Sequence, residues 1–287
     1  MNIKLIISIT FIFLILILLK KNKLECFNDK RLTMIKPNNW KKIKFTDKLK
    51  IYGSQLDSNY SLYSDKLNVK KYLNNLNINN LHTAKLIKIL DQKKNINLNV
   101  LPSNCIIKTN HGWSDIIIIK NNKIISMNSR GKKIDSYYDW KKSALSNYIT
   151  KYEPHYQYIE KQIFIEEYLG DNLFDFKIHC IQGNPVLIQV ERNVKKEKCI
   201  NYYDCNFNIL NIKKNFPKCN YKNSKPSNLK EILNISRILS RKFEFVRIDL
   251  YNINNKIYFG EFTFIPSGGN SYFMNNKYEY KLSNNWK

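Results

Sequence analysis

The chain has 287 residues and a formal net charge of +25, with 43% hydrophobic and 13% aromatic residues. That apolar content excludes a disordered chain, and the length suffices for one two-lobed domain or two small ones with proper cores. The lysines come as scattered pairs (Lys41-Lys42, Lys70-Lys71, Lys132-Lys133, Lys141-Lys142, Lys195-Lys196) and form no block, so no specific nucleic-acid partner is expected.

Only two alanines occur, among abundant Asn, Ile and Lys, as an AT-rich codon bias would impose. An anionic membrane surface or a polyanionic substrate would also account for the lysines. The six cysteines (Cys26, Cys105, Cys180, Cys199, Cys205, Cys219) contain no CxxC pair, which argues against zinc. Their even number permits disulfides in an extracytoplasmic domain, but no spacing demands one.

Leu5 to Leu19 is an uncharged run. It is short for a bilayer span of about 20 residues, but no small-residue cleavage pattern follows it, and Lys20, Lys21 and Lys23 do. Residues 1–23 are therefore expected to be a single transmembrane anchor, lengthened by snorkelling lysine stems. Three lysines after the run, against Lys4 and the amino terminus before it, place the remaining chain on the cytoplasmic side.

Residues 24–100 are polar and Asn-rich, with one stretch (Leu81, Ala84, Lys85, Ile87) at helical spacing. From Cys105 onward strand patterns alternate with two helices. One runs from Tyr137 to Lys151 behind a Ser136 N-cap, and the other follows Pro226-Ser227 with Leu229, Ile232, Leu233, Ser236 and Leu239 on its inner stripe. Short strands with hairpin-length links and few helices indicate an α+β fold.

Candidate chemistry is densest near the C-terminus, in FVRIDLYNINNKIYFGEFTFIPSGG. Arg247, Asp249 and Tyr251 share one face of a strand, and Glu261 and Thr263 are expected on one face of the next together with Ile257 and Phe259. A three-residue turn (Asn254 to Lys256) sets Asp249 opposite Glu261, with Cβ atoms about 5 Å apart, close enough to share Mg²⁺. A two-residue Asn254-Asn255 turn sends them to opposite faces. The bland alternative is a pair of surface carboxylates on a half-exposed hairpin.

Upstream, Lys108 ends a strand before Asn110-His111-Gly112, a hairpin tip able to fold over phosphates. Further on, Asp175, Lys177 and His179 alternate with Phe174, Phe176, Ile178 and Cys180. Such a charged stripe lines a cleft or is simply a solvated sheet face.

Taken in order, these blocks resemble the TupA-like branch of the ATP-grasp superfamily. The matching residues are Leu101-Pro102, Ile107-Lys108, Asn110-His111-Gly112, Glu166-Glu167-Tyr168-Leu169, Asp175-Phe176-Lys177, Gln182-Gly183, Arg192, Tyr203-Asp204, Val246 to Tyr251 and Phe259 to Pro266. Asp65-Lys66 and Val69-Lys70 resemble a further block, with Lys in place of Arg.

The resemblance implies two α+β lobes gripping ATP, with residues 24–100 leading in, 101–169 as the small lobe and 170–287 as the large lobe with the Mg²⁺ site. It implies that Lys108, His111 and Gly112 meet the phosphates and that Glu166, Glu167 and Leu169 border adenine. Asp175 and Lys177 would hold ribose, phosphate or substrate, Arg192 and Arg247 would neutralise an acyl phosphate, and Asp249, Glu261 and Thr263 would face Mg²⁺. Thr263 stands where many relatives carry Asn. The activity implied is ATP-dependent joining of a carboxylate to an amine in cell-surface polysaccharide or glycopeptide synthesis. A glycan phosphotransferase, a glycosyltransferase-associated protein and a membrane-anchored basic module with a degenerate ATP site are the alternatives.

Overall fold

The computed structural model describes residues 31–94, 96, 97, 100–146, 151–171, 173–192 and 199–287. The apolar run at 5–19 lies outside these, and no helix among the described residues is long and apolar enough to cross a membrane.

Three short helices come first: α1 (Phe45–Gly53), α2 (Ser58–Ser64) and α3 (Asn68–Leu76). Strands β1 (Leu81–Thr83) and β2 (Leu86–Ile89) follow where helical spacing predicts a helix. The correction has a non-local cause. β1 pairs in parallel with a strand of one sheet and β2 antiparallel with a strand of the other, and open sheet edges supply hydrogen bonds that an isolated turn of helix cannot match.

Next come β3 (Cys105–Thr109), β4 (Ile116–Lys120), β5 (Lys123–Ser129), β6 (Lys132–Lys133), α4 (Tyr137–Leu145) and β7 (Ile163–Glu167). The six strands β2-β7-β3-β4-β5-β6 form an antiparallel sheet. Period-two alternation gives it two faces: Cys105, Ile107, Ile117, Ile119, Ile163 and Ile165 pack with Trp140 and Ala144 of α4. Ile106, Lys108, Ile116, Ile118 and Lys120 face the other way. Ser136 caps α4 as expected, accepting from Asp139 N at 3.1 Å. This helix ends at Leu145, six residues short of the expected Lys151.

The remaining elements are β8 (Phe174–Ile181), β9 (Asn184–Arg192), β10 (Ile200–Tyr203), β11 (Ile209–Leu210), α5 (Leu229–Ser240), β12 (Phe245–Ile253), β13 (Lys256–Thr263) and α6 (Asn276–Asn284). The second sheet has the order β1-β13-β12-β8-β9-β10-β11. One face packs on α5 through Ile232, Leu233, Ile235 and Leu239, all buried. Aromatic side chains seal the end near α1 and α2, where Phe45, Tyr52, Tyr60, Phe243, Phe245, Phe264 and Trp286 are each at most 4% exposed. Residues 32–287 form one compact unit. Cys199 and Cys219 form a disulfide that the spacing does not announce.

The β12–β13 hairpin corrects two sequence expectations together. Its turn has two residues, Asn254 and Asn255, both with positive φ, and Ile253 pairs with Lys256. That turn alone would put Asp249 and Glu261 on opposite faces. Gly260 is an extra residue in β13, however, and its bulge shifts the register so that Leu250 pairs with Phe259 and Asp249 with Glu261. Phe259 thus joins Leu250 on the core face, and Glu261 and Thr263 stand on the face of Asp249 without Ile257 and Phe259.

Candidate active site

The polar faces of the two sheets line one cleft of about 780 Å³. From the small sheet it receives Lys108, Lys120 and Glu166, from the hinge strand end Glu167 to Asp171, from α3 and its approach Lys66 and Lys70, and from the large sheet Asp175, Lys177, Asp249, Tyr251 and Glu261.

At one end Glu166, 4% exposed, sits between two ammonium groups. Lys108 contacts its Oε1, and Lys70 Nζ lies 3.0 Å from its Oε2. Burial alone would raise this carboxyl; Lys108 and Lys70 outweigh it and hold it below the usual range. Lys66 donates to Gly112 O at 2.8 Å, and burial lowers the pKa of both Lys66 and Lys70.

The Asn110–Ser114 tip is braced from behind. Asn110 donates through Nδ2 to Glu160 O and accepts from Gln162 N, at 2.9 and 2.8 Å. Gly112 (φ +66°) and Ser114 (φ +59°) take left-handed backbone to make the turn.

His111 does not meet its sequence expectation as a ligand. Its ring is buried, absent from the cleft lining, and pushed down to about 4 by burial and neighbouring cations, so only its main chain belongs to the tip. Glu167 is likewise engaged through its side chain, accepting from Lys85 N at 2.8 Å, while Leu169 borders the cleft. Asp171 ties the hinge to the small sheet through contacts from Lys120 Nζ and Tyr168 Oη.

The opposite wall holds a chain of charges. Lys177 Nζ donates to Asp175 Oδ2 at 2.6 Å and to Asp249 Oδ2 at 2.7 Å. Arg247 grips Asp249 with two bonds, Nε to Oδ1 and Nη2 to Oδ2, both 2.7 Å. Its Nη2 also reaches Thr263 Oγ1 at 3.0 Å and Glu261 Oε1 at 3.5 Å, and Thr263 Oγ1 donates to Glu261 Oε1 at 3.1 Å. Burial would raise the Asp249 carboxyl, but Arg247 and Lys177 hold it below the usual range. Asp175 goes the other way: burial raises it to about 6, with Lys177 opposing and Asp249 adding to the rise. Its Oδ1 is buried without a hydrogen-bond partner.

Three carboxylates at one end of a lysine-lined cleft are hard oxygen donors of the kind Mg²⁺ takes, and the orphaned Asp175 Oδ1 leaves a place for a cation or proton. Asp249 and Glu261 are the pair opposite each other, with the Glu261 side chain 35% exposed. Among the described residues no group of three or more His, Cys, Asp or Glu could hold a metal unaided, so phosphate and water oxygens would complete the shell. Thr263 orients Glu261 and Arg247. Arg192 ends β9 opposite Phe174, and its side chain lies outside the described residues.

Lys66 and Lys70 were not among the sequence-predicted site residues, although the Asp65-Lys66 and Val69-Lys70 block carried the signal. Asp65 caps the start of α3, accepting from Leu67 N at 2.8 Å and Asn68 N at 3.2 Å, and so turns both lysines toward Gly112 and Glu166.

A family model described as TupA-like ATPgrasp matches residues 39–287. No curated protein matches the chain.

Among solved structures, D-alanine–D-alanine ligase from Bacillus anthracis is 19% identical, covering 71% of this chain and 57% of that one with a TM-score of 0.41. The enzyme of the same name from Helicobacter pylori is 17% identical, covering 79% and 61% with a TM-score of 0.41. N5-carboxyaminoimidazole synthetase from Staphylococcus aureus is 13% identical, covering 76% and 50% with a TM-score of 0.37. The chain thus spans half to three-fifths of the length of these proteins.

Proposed function

The chain belongs to the TupA-like ATP-grasp family, and on that premise we propose that it is an ATP-dependent ligase joining a carboxylate to an amine. One observation carries the reading: Lys66, Lys70 and Lys108 on one wall face Asp249 and Glu261 on the other, with Arg247 binding both carboxylates. Such a cleft suits a polyphosphate laid between ammonium groups and a metal-holding pair.

In this reading Lys108 and Lys70 exchange Glu166 for phosphate oxygens. Lys66 and the Gly112 turn close over them, and the Glu167–Leu169 main chain borders the base. Asp249 and Glu261 would hold Mg²⁺, which would supply charge neutralisation on the phosphates. Lys177, bridging Asp175 and Asp249, is positioned to follow the transferred phosphoryl group. The substrate carboxylate takes that group from ATP with release of ADP, and Arg247 neutralises the acyl phosphate until the amine attacks its acyl carbon and expels inorganic phosphate. The protein provides placement and charge without a covalent nucleophile.

We further infer attachment to a membrane through residues 1–23, with the cleft on the cytoplasmic side where ATP is supplied, and a role in cell-surface polysaccharide or glycopeptide synthesis. The uncharged run with its lysine flank and the family resemblance support this. The Cys199–Cys219 bond would suit an oxidising compartment instead, and protease protection of the intact membrane-bound chain decides between the two sides.

The test of the ligase reading is a calorimetric titration of the full-length chain with Mg-ATP, beside Asp249→Asn and Glu261→Gln. Micromolar binding that needs Mg²⁺ and collapses in both variants is expected, followed by ADP release with uronic acids and amino acids. Nucleotide binding indifferent to both substitutions would sink the reading.

A further inference from the structure

The compact unit receives its N-terminal segment at the end where α1, α6 and the start of β12 meet. Leu32 N donates to Lys242 O at 2.8 Å, and Gln55 holds Ile35 through both main-chain groups, at 2.8 and 3.0 Å. Trp40 Nε1 donates to Trp286 O at 2.9 Å, and Ser283 Oγ to Ile43 O. Residues 32–44 are in this way laid along α1 and the end of α6. Twelve residues, Lys20 to Arg31, separate Leu32 from the uncharged run that ends at Leu19, a reach of about 40 Å when fully extended. That is about the width of a unit of this size, so an anchor in the run tethers this end of the unit to a bilayer surface.

The stretch from Lys30 to Lys44, KRLTMIKPNNWKKIK, has six cations and no acidic residue. Within it Trp40 is buried against Trp286, while its neighbours Lys41 and Lys42 are exposed. Among the described residues neither lysine has an ion pair or a side-chain hydrogen bond. Ile35, on the same strip, is 83% exposed.

The carboxylates of this end are engaged elsewhere. Glu244 is buried and receives Lys36 Nζ at 2.9 Å, Trp286 Nε1 at 3.0 Å and Gln182 Nε2 at 3.1 Å. Glu279 is fully buried and accepts from Thr46 and Phe273, and Asp47 accepts from Tyr272 Oη at 2.5 Å. Beneath the strip, burial and then the charge of Lys36 bring the buried Lys48 ammonium down to about 8, as an excess of positive charge requires. By contrast, exposed lysines on the small-sheet side have counter-charges: Asp91 lies 3.7 Å from Lys94 and Asp135 3.4 Å from Lys133. Unpaired cations around an exposed aliphatic side chain, next to a tether, suit anionic headgroups with their acyl boundary beneath.

We propose that the 32–44 strip, through Ile35, Lys41 and Lys42, docks on an anionic lipid surface as a second contact beside the tether. Resting on the membrane attachment proposed above, this adds an orientation to it. Strand β12 begins at this end and carries Arg247 about 10 Å along the chain from Glu244. Docking therefore turns the Arg247 end of the cleft toward the lipid, within reach of a substrate held at the membrane.

The experiment reconstitutes the full-length chain in nanodiscs of phosphatidylcholine alone or mixed with phosphatidylserine, and follows lysine acylation site by site by mass spectrometry. Acylation of Lys41 and Lys42 should slow about fivefold or more in the mixed discs, the effect expected per cation at an anionic surface. High salt should restore it, and Lys94 and Lys133 should react alike in both discs. Equal rates for Lys41 and Lys42 in the two discs, or a slowing shared by Lys94 and Lys133, overturns the proposal. If the chain enters neither disc, the anchor reading falls separately, and flotation with phosphatidylserine vesicles then decides the docking strip. Salt-sensitive flotation that is lost when Lys41→Glu and Lys42→Glu are combined is the expected result. Absent flotation, or flotation indifferent to that double change, overturns the proposal.

Discussion

Gly260→Ala should break the candidate metal pair without touching either carboxylate. A Cβ at this position would stand 3.1 Å from Asp249 O, 3.3 Å from Tyr251 Cε2 and 3.5 Å from Asp249 Cβ. Gly260 is not among the positive-φ glycines, so the cost is contact and not backbone conformation. The strand it meets cannot recede, because β12 is hydrogen-bonded to β13 on one side and to β8 on the other. Overpacking of this kind costs about 1–3 kcal/mol, read as a melting temperature lowered by roughly 2–4 °C per kcal/mol in a unit this large. The methyl wedge also moves Glu261 away from Asp249, and Mg-ATP affinity should fall about tenfold or more, as when one oxygen contact to a bound charge is lost. A deletion separates register from packing. Removing Gly260 alone keeps Leu250 paired with Phe259 and brings Glu261 into the next ladder position, still opposite Asp249, and should retain binding. Calorimetry with Mg-ATP and thermal melting read both variants. Loss of binding in a folded deletion variant, or wild-type affinity in Gly260→Ala, would refute this reading of the register.

Two further outcomes concern stability. His111, His155 and His179 are buried, chiefly desolvation lowers them to about 4, 3 and 3, and an unfolded imidazole titrates near 6.5. Unfolding therefore takes up protons below pH 6.5: stability is complete above that pH and is lost as pH falls toward 4. By pH 5 each ring should contribute a loss of about 2 kcal/mol, with Asp175 working in the opposite sense below pH 6. Urea titrations at pH 7 and 5 should show the loss, His155→Phe should remove its own share, and an unchanged midpoint would refute the neutral buried rings. Cys219→Ser should cost about 3 kcal/mol by the loop-closure argument. Identical urea midpoints for the wild type with and without reductant would show that the bond does not form.

Much of the site was legible because strand parity is a local property. Arg247, Asp249 and Tyr251 on one face, and Asp175, Lys177 and His179 on one face, follow from alternation, and the two faces prove to be neighbours through the Asp249–Lys177 pairing. The N-cap at Ser136 and the inner stripe of α5 were equally local. Asp249 and Glu261 do stand opposite each other, but by a two-residue turn and a bulge in place of a three-residue turn. The visible sign was a glycine between Phe259 and Glu261. What escaped was non-local. The helical spacing at 81–90 yielded to two open sheet edges, and the Cys199–Cys219 pairing depends on β10 and the β11–α5 connection meeting in space. The ring of His111 turned inward because Asn110, not His111, holds the hairpin tip to Glu160 and Gln162.

The packing of α1 has a consequence for the order in which the chain is made. Lys48, fully buried, donates to Ser283 O and Trp286 O at 2.9 Å. Trp286 is in ring contact with Trp40, Phe45, Tyr52 and Phe245 and donates from Nε1 to Glu244 Oε2. Elements emerging early from the ribosome are thus completed by a side chain that lies far along the chain from them. Until Trp286 is synthesised and free, Phe45, Tyr52 and the amine of Lys48 lack their covers. The large sheet can therefore close its outer end only after translation has passed that tryptophan, which makes the nascent chain dependent on whatever shields that aromatic surface in the meantime.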